Sequence, residues 1–139
     1  MSAAFIIDCS ITMAWCFTDE RTPATVLVRD RSERETALAP GLWYLEVANV
    51  LSLAEKRGRI TPALVAEFIN LLAKMTIEID GEGPDRAFQQ ILPLCRQHDL
   101  TSYDAVYLEL AIRTGLPLAT LDGQLRAAAA ERGVPLLGV

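Results

Sequence analysis

The chain has 139 residues, 51% of them apolar and 22% charged, with 13 basic and 18 acidic residues and a formal net charge of −5. A domain of this size buries roughly 68–70% of the surface its unfolded chain exposes, which argues against disorder and against dependence on a disulfide scaffold, and the acidic balance disfavours a general nucleic-acid coat. No uncharged run exceeds ten residues, and Asp8 interrupts the first apolar stretch with no basic region ahead of it, so neither a membrane span of about 20 residues nor a cleaved signal is expected, and a single cytoplasmic domain over residues 1–139 is.

The opening run Ala3-Ala4-Phe5-Ile6-Ile7 ends at Asp8 and predicts a strand buried on both faces, as in parallel sheets. Helices are expected over 10–17 and over 22–32, the second with Pro23 in its first turn. Ala37-Leu38-Ala39 is a strand candidate closed by Pro40-Gly41. Residues 42–57 carry the apolar stripe Leu42, Trp43, Val47, Val50, Leu51 and Ala54, and Gly58 caps them. Thr61-Pro62 opens a helix to about Lys74, and the β-branched Thr76-Ile77-Glu78-Ile79 follows as a strand. Residues 84–98 and 102–114 read as helices, Leu116 to Thr120 as a buried strand, 124–131 as a helix opened by Asp122, and Leu136-Leu137 as a last strand. Strands alternating with one or two helices predict an α/β fold with an open parallel sheet covered on both faces. Ligands of such sheets bind beyond the carboxyl ends of the strands.

Several acids are expected at that edge. Asp8 follows the first strand directly, and Asp122 lies two residues beyond Thr120. Asp104 sits in the first turn of a helix that feeds the next strand, so its end also lies at the carboxyl edge. Glu46 is on the second turn after the 37–39 strand. Taken singly, Asp8 and Asp122 are accounted for as helix N-caps, and Thr101-x-x-Asp104 as a capping box. Glu46 is different: Leu42, Trp43, Val47 and Val50 surround it on its helix, and an acid in an apolar stripe is costly unless paired or metal-bound. Carboxylates gathered in a cleft either rise in pKa or admit a cation, and a hard oxygen site suits Mg²⁺ or Mn²⁺. Phosphodiester hydrolysis is the chemistry such a site serves best. Ser10 and Thr120 fit two roles equally: partner to a carboxylate, water or phosphate, or a cap or strand-end hydroxyl.

Cys9, Cys16 and Cys95 lack metal-binding spacing and read as small buried hydrophobes. The single histidine, His98, reads as a surface or capping residue at a helix end. Lys56, Arg57 and Arg59 end the Glu46 helix, where cations are favoured; contact with phosphates is the rival reading.

The order Asp8-Cys9-Ser10, Glu46 on a helix, Ser102-Tyr103-Asp104-Ala105 and Thr120-Leu121-Asp122-x-x-Leu125 resembles the PIN domain, and more narrowly the VapC toxins of type II toxin–antitoxin systems. Nearly the whole chain takes part, although the middle residue of the first motif, cysteine, departs from the family's usual small or hydroxyl residue. The resemblance implies an α/β/α sandwich on a parallel sheet of about five strands. It also implies a Mg²⁺- or Mn²⁺-dependent endoribonuclease in which Asp8, Glu46, Asp104 and Asp122 are the catalytic, metal-binding acids, assisted by Ser10 and Thr120. An RNA substrate, a homodimer and a cognate VapB-like antitoxin come with it. Glu46 would either complete the metal shell or orient the attacking water. The competing readings are a non-catalytic interaction domain, a phosphatase with Asp8 as nucleophile, which Ser10 disfavours where a second Asp is usual, and a structure-specific DNase, disfavoured by the short chain.

Overall fold

A computed structural model describes residues 2–139. Strand β1 (Phe5–Ile7) leads into α1 (Cys9–Cys16), a 3-10 turn (Thr18–Glu20) and α2 (Pro23–Arg34). Strand β2 (Ala37–Pro40) is followed by α3 (Leu42–Lys56) and α4 (Pro62–Ala73), and β3 (Ile77–Asp80) by α5 (Gly83–Arg86), α6 (Leu92–His98) and α7 (Ser102–Thr114). Strand β4 (Leu118–Ala119), α8 (Gly123–Glu131) and β5 (Leu136–Leu137) complete the chain. All pairings are parallel, in the order β3-β2-β1-β4-β5. This is the expected α/β/α sandwich with five strands.

Alternation along the strands divides the core into two layers. Phe5 and Ile7 of β1 join Ile11, Trp15, Trp43, Val47 and Phe68 on the α1–α4 side. Ile6, between them, joins Leu38, Tyr107, Leu108, Leu118 and Leu125 on the opposite side. All of β1 is fully buried, which explains why its sequence is apolar at every position and not alternating.

The strands are shorter than expected at β1 and β4. Pro117 contributes only its carbonyl, which accepts from Ile6 N at 2.8 Å. The helix expected over 84–98 is interrupted. Residues Ala87–Ile91 form a π turn in which Leu92 N–H donates to the Ala87 carbonyl, five residues back. Pro93 follows with no N–H of its own, so the regular ladder cannot pass through it. The cysteines are free and only partly buried, short of the expected burial. His98 is not a surface residue: its side chain is 7% exposed and Nδ1 lies 3.2 Å from Glu131 Oε2. Among the described residues no helix is long and apolar enough to cross a membrane.

Candidate active site

The chain moves outward from β1 to β2 and β3, then returns to lay β4 against the other side of β1. This reversal leaves a crevice beyond the carboxyl ends of β1 and β4, the usual place for a site in such a sheet. Ile7 pairs with Ala119, and Asp8 N donates to the Ala119 carbonyl at 3.2 Å, so Asp8 and Thr120 leave the sheet side by side. Behind them Gly138 has φ +105°, and a Cβ there would stand 2.8 Å from Ile11 Cδ1, so glycine alone fits this approach.

Asp8 is 5% exposed, and both oxygens of its carboxylate are bonded within this crevice. Its Oδ1 accepts from Ser10 Oγ at 2.7 Å and from Ile11 N at 3.0 Å, and its Oδ2 accepts from Thr120 Oγ1. Ser10 Oγ in turn accepts from Leu121 N at 2.8 Å, and Thr120 Oγ1 accepts from Asp122 N at 3.1 Å. The two hydroxyls therefore stitch the β1 and β4 loops together. Asp122 caps α8 through Oδ2, which accepts from Leu125 N at 2.9 Å. Asp8 and Asp122 are thus helix caps and crevice residues at once; the two readings do not compete.

Asp104 is a different case. Thr101 Oγ1 accepts from Asp104 N at 3.2 Å, so the cap of α7 is the threonine. The reciprocal bond of a capping box is missing, and the Asp104 carboxylate has no hydrogen-bond partner among the described residues. Burial raises its pKa, and the charge of Asp122 raises it further. Glu46, on α3, is half-buried, and Tyr107 donates its hydroxyl to Glu46 Oε1 at 2.6 Å. Burial raises Glu46, the Tyr107 bond lowers it, and Asp8 and Asp104 raise it. Burial likewise raises Asp8 against the bonds from Thr120, Ser10 and Ile11. Cys9 is pushed up to about 12 by burial and by Glu46, Asp8 and Glu20, so its thiol is inert at neutral pH.

A single cavity of about 360 Å³ is lined by Asp8, Ser10, Glu46, Asp104 and Asp122. Thr120, fully buried, stands behind Asp8 and not in the wall. Cys9, Met13, Phe17, Glu20, Val50, Arg59 and Tyr107 also line the cavity; Glu20 and Tyr107 are the charged and hydroxyl-bearing ones that had no part in the expected site. Tyr107 was detectable, since it stands three residues after Asp104 and so on the same helix face. Arg59 joins the cavity wall, whereas Lys56 and Arg57 are exposed and do not. No sequence signal marks Glu20.

The PIN domain profile matches residues 5–131, nearly the whole chain. The chain belongs to the PIN domain family. A PIN domain has a nuclease-type fold, and its members are generally metal-dependent nucleases. Among solved structures this PIN domain is similar to the crystal structure of PAE2754 from Pyrobaculum aerophilum, with a TM-score of 0.71 and 22% identity over 96% of this chain and 83% of that chain. At that identity the likeness speaks for the fold alone. No curated protein matches the chain.

The donor set of this PIN domain suits a hard divalent cation: among the described residues the cavity wall holds carboxylates and no histidine, and both Asp104 carboxylate oxygens are without a hydrogen bond. Among the described residues, however, no three His, Cys, Asp or Glu side chains stand close enough to hold one ion as they are placed. The carboxylates share a cavity and feel one another's charge without converging on a point.

Proposed function

We propose that this PIN domain is a Mg²⁺- or Mn²⁺-dependent endoribonuclease, the toxin of a type II toxin–antitoxin pair, acting in the cytoplasm as a homodimer under a VapB-like antitoxin. The observation that carries the nuclease reading is the single cavity shared by Asp8, Glu46, Asp104 and Asp122, which arrive from four separate elements. The narrower toxin reading rests on the order of the Asp8, Glu46, Asp104 and Asp122 motifs across the chain, which resembles the VapC group.

Asp8, Asp104 and Asp122 would hold the ion, with Glu46 beside them. The ion would supply charge neutralisation at the phosphate oxygens and a lowered pKa for a bound water. The protein's own part is positional. Ser10 and Thr120 hold both Asp8 oxygens in a fixed orientation. Tyr107 fixes one oxygen of Glu46 and leaves the other without a partner among the described residues. Burial raises the proton affinity of Glu46, and its unpaired oxygen would either complete the metal shell or orient an attacking water.

The test is cleavage of RNA in Mn²⁺ by the wild type and by Asp8→Asn. Activity in the wild type and a loss of at least about 10²-fold in the variant are expected, the scale of removing a main electrostatic contributor. A second reading, a non-catalytic interaction domain, is favoured by the cap bonds of Asp8 and Asp122 and by the absence of three closely placed ligands among the described residues. It requires that purified wild type, with Mn²⁺ present, leave RNA intact.

A further inference from the structure

Among the described residues, Arg59 is the one cationic side chain lining the acidic cavity. Its guanidinium carbon lies 3.7 Å from the centroid of the Phe17 ring, and Phe17 is itself buried. Its Nη2 donates to both Asp19 oxygens at 3.0 and 3.1 Å and to Glu20 Oε2 at 2.8 Å. All these bonds use one nitrogen. Nη1 and Nε have no partner among the described residues, so the remaining donors of the fork stay available. The side chain is 42% exposed.

Arg59 and Phe17 also line a second cavity, of about 540 Å³, that adjoins the first. The stacked pair is thus shared between the first compartment, with its five acids, and a neighbouring one formed by the 3-10 turn, Ile60, Leu64 and Phe68, whose acids are Asp19 and Glu67. Arg59 is the cation common to both walls. Elsewhere the acidic compartment presents Asp8, Glu20, Glu46, Asp104 and Asp122, all of which repel a phosphate.

We propose that Arg59 binds the RNA phosphate adjacent to the cleaved one, with the nucleotide beyond it in the second cavity. The proposal rests on the nuclease reading above and adds the path of the strand, over the 3-10 turn and the α3–α4 connection. The Phe17 ring and the two acids preset the guanidinium plane, and a planar fork recognises a phosphate better than a point charge does. Asp19 and Glu20 compete with the phosphate only weakly, because the pairs are solvent-exposed.

The experiment measures affinity for a short single-stranded oligoribonucleotide in Ca²⁺ by fluorescence anisotropy across a salt series, and KM and kcat for its cleavage in Mn²⁺. Arg59→Ala is expected to weaken binding and raise KM about tenfold, with a smaller effect on kcat. The slope of log affinity against log salt should fall by about 0.7, the value for one phosphate contact on a single strand. Arg59→Lys should keep the slope and recover only part of the affinity. Asp19→Asn should tighten binding, since it removes a negative charge beside the guanidinium while Glu20 still accepts from Nη2 and holds its plane. A purely structural ion pair would make Arg59→Ala and Asp19→Asn change affinity in the same direction, and that result overturns the proposal, as does an unchanged slope in Arg59→Ala. If the wild type binds RNA without cleaving it, the nuclease reading fails while the slopes still decide Arg59; if it binds no RNA, both fail.

Discussion

At Asp8, burial and hydrogen bonding act in opposite directions on one carboxyl group. Burial raises its pKa, bonds from Thr120, Ser10 and Ile11 lower it, and the charge of Asp104 raises it; the net shift is upward from 3.8. The native state therefore holds the Asp8 proton more tightly than the unfolded chain does. Stability from this group is fully present at low pH and is lost as the pH rises from 3.8 through the native value. Asp8→Asn removes the charge and keeps a carbonyl for Ile11 N. In metal-free buffer near neutral pH its melting temperature should exceed that of the wild type, and the gap should close as the pH falls below 3.8. Asp8→Ala loses the cap as well and should melt below Asp8→Asn by about 0.5–2 kcal/mol of stability. Melting curves of both variants over a pH series check this. A lower melting temperature for Asp8→Asn at neutral pH would show that the Thr120 and Ser10 bonds to an ionised carboxylate outweigh its burial.

Between elements, the strongest polar tie joins the end of α7 to the end of β3. Arg113 forks Asp80 at 3.0 and 2.9 Å, reaches Glu109 on its own helix at 3.0 Å and meets Glu82 at 2.9 Å. Glu109 is 5% exposed and is flanked by Arg113 at 3.0 Å and by Arg86 at 3.9 Å. Arg113→Met should lower the urea unfolding free energy by about 2–3 kcal/mol, below the range for a fully buried pair because water still reaches the network. The bond to Arg113 holds the Asp80 carboxyl below its ordinary 3.8. The stability it gives is present above 3.8 and lost as the pH falls through the native value, so Arg113→Met should lack that part of the acid-induced loss. The elements themselves were legible wherever period and capping agreed. Phe5-Ile6-Ile7 announced a doubly buried strand, and the Leu42–Ala54 stripe announced α3. The π turn was not legible, because Ala87–Ile91 carries a helical pattern and only the geometry shows Leu92 reaching five residues back. For the candidate site, the places of Asp8, Asp104 and Asp122 at strand ends and a first helical turn could be read from chain order, and Glu46 on the second turn of α3 from the apolar residues around it. The Tyr107 bond to Glu46 spans 61 residues, and the placing of Arg59 on Phe17 depends on how α3 and the 3-10 turn pack, which no local pattern encodes.

For the whole molecule, a net charge of −5 is spread unevenly, with Asp8, Glu20, Glu46, Asp104 and Asp122 gathered on one cavity at the point where strand order reverses. Folding brings these charges together from distant parts of the chain and so works against their mutual repulsion; a bound divalent ion would convert that repulsion into attraction. Any species that binds the native state and not the unfolded one raises stability by mass action, by about 2.7 kcal/mol at a hundredfold excess over its dissociation constant. For a chain of this length that corresponds to a rise in melting temperature on the order of 10 °C in millimolar Mn²⁺. Simple screening also relieves repulsion, but it depends on ionic strength and not on the identity of the ion. Thermal melts in Mn²⁺ and in NaCl of matched ionic strength separate the two effects. The wild type should gain stability from Mn²⁺ well beyond NaCl, and Asp8→Asn should lose most of that excess, because its site lacks the most deeply placed carboxylate. Equal gains in the two salts would mean that the carboxylates never close on a common ion, as their present spacing leaves them, and the crevice at the ends of β1 and β4 would then be an acidic surface feature and not a metal centre.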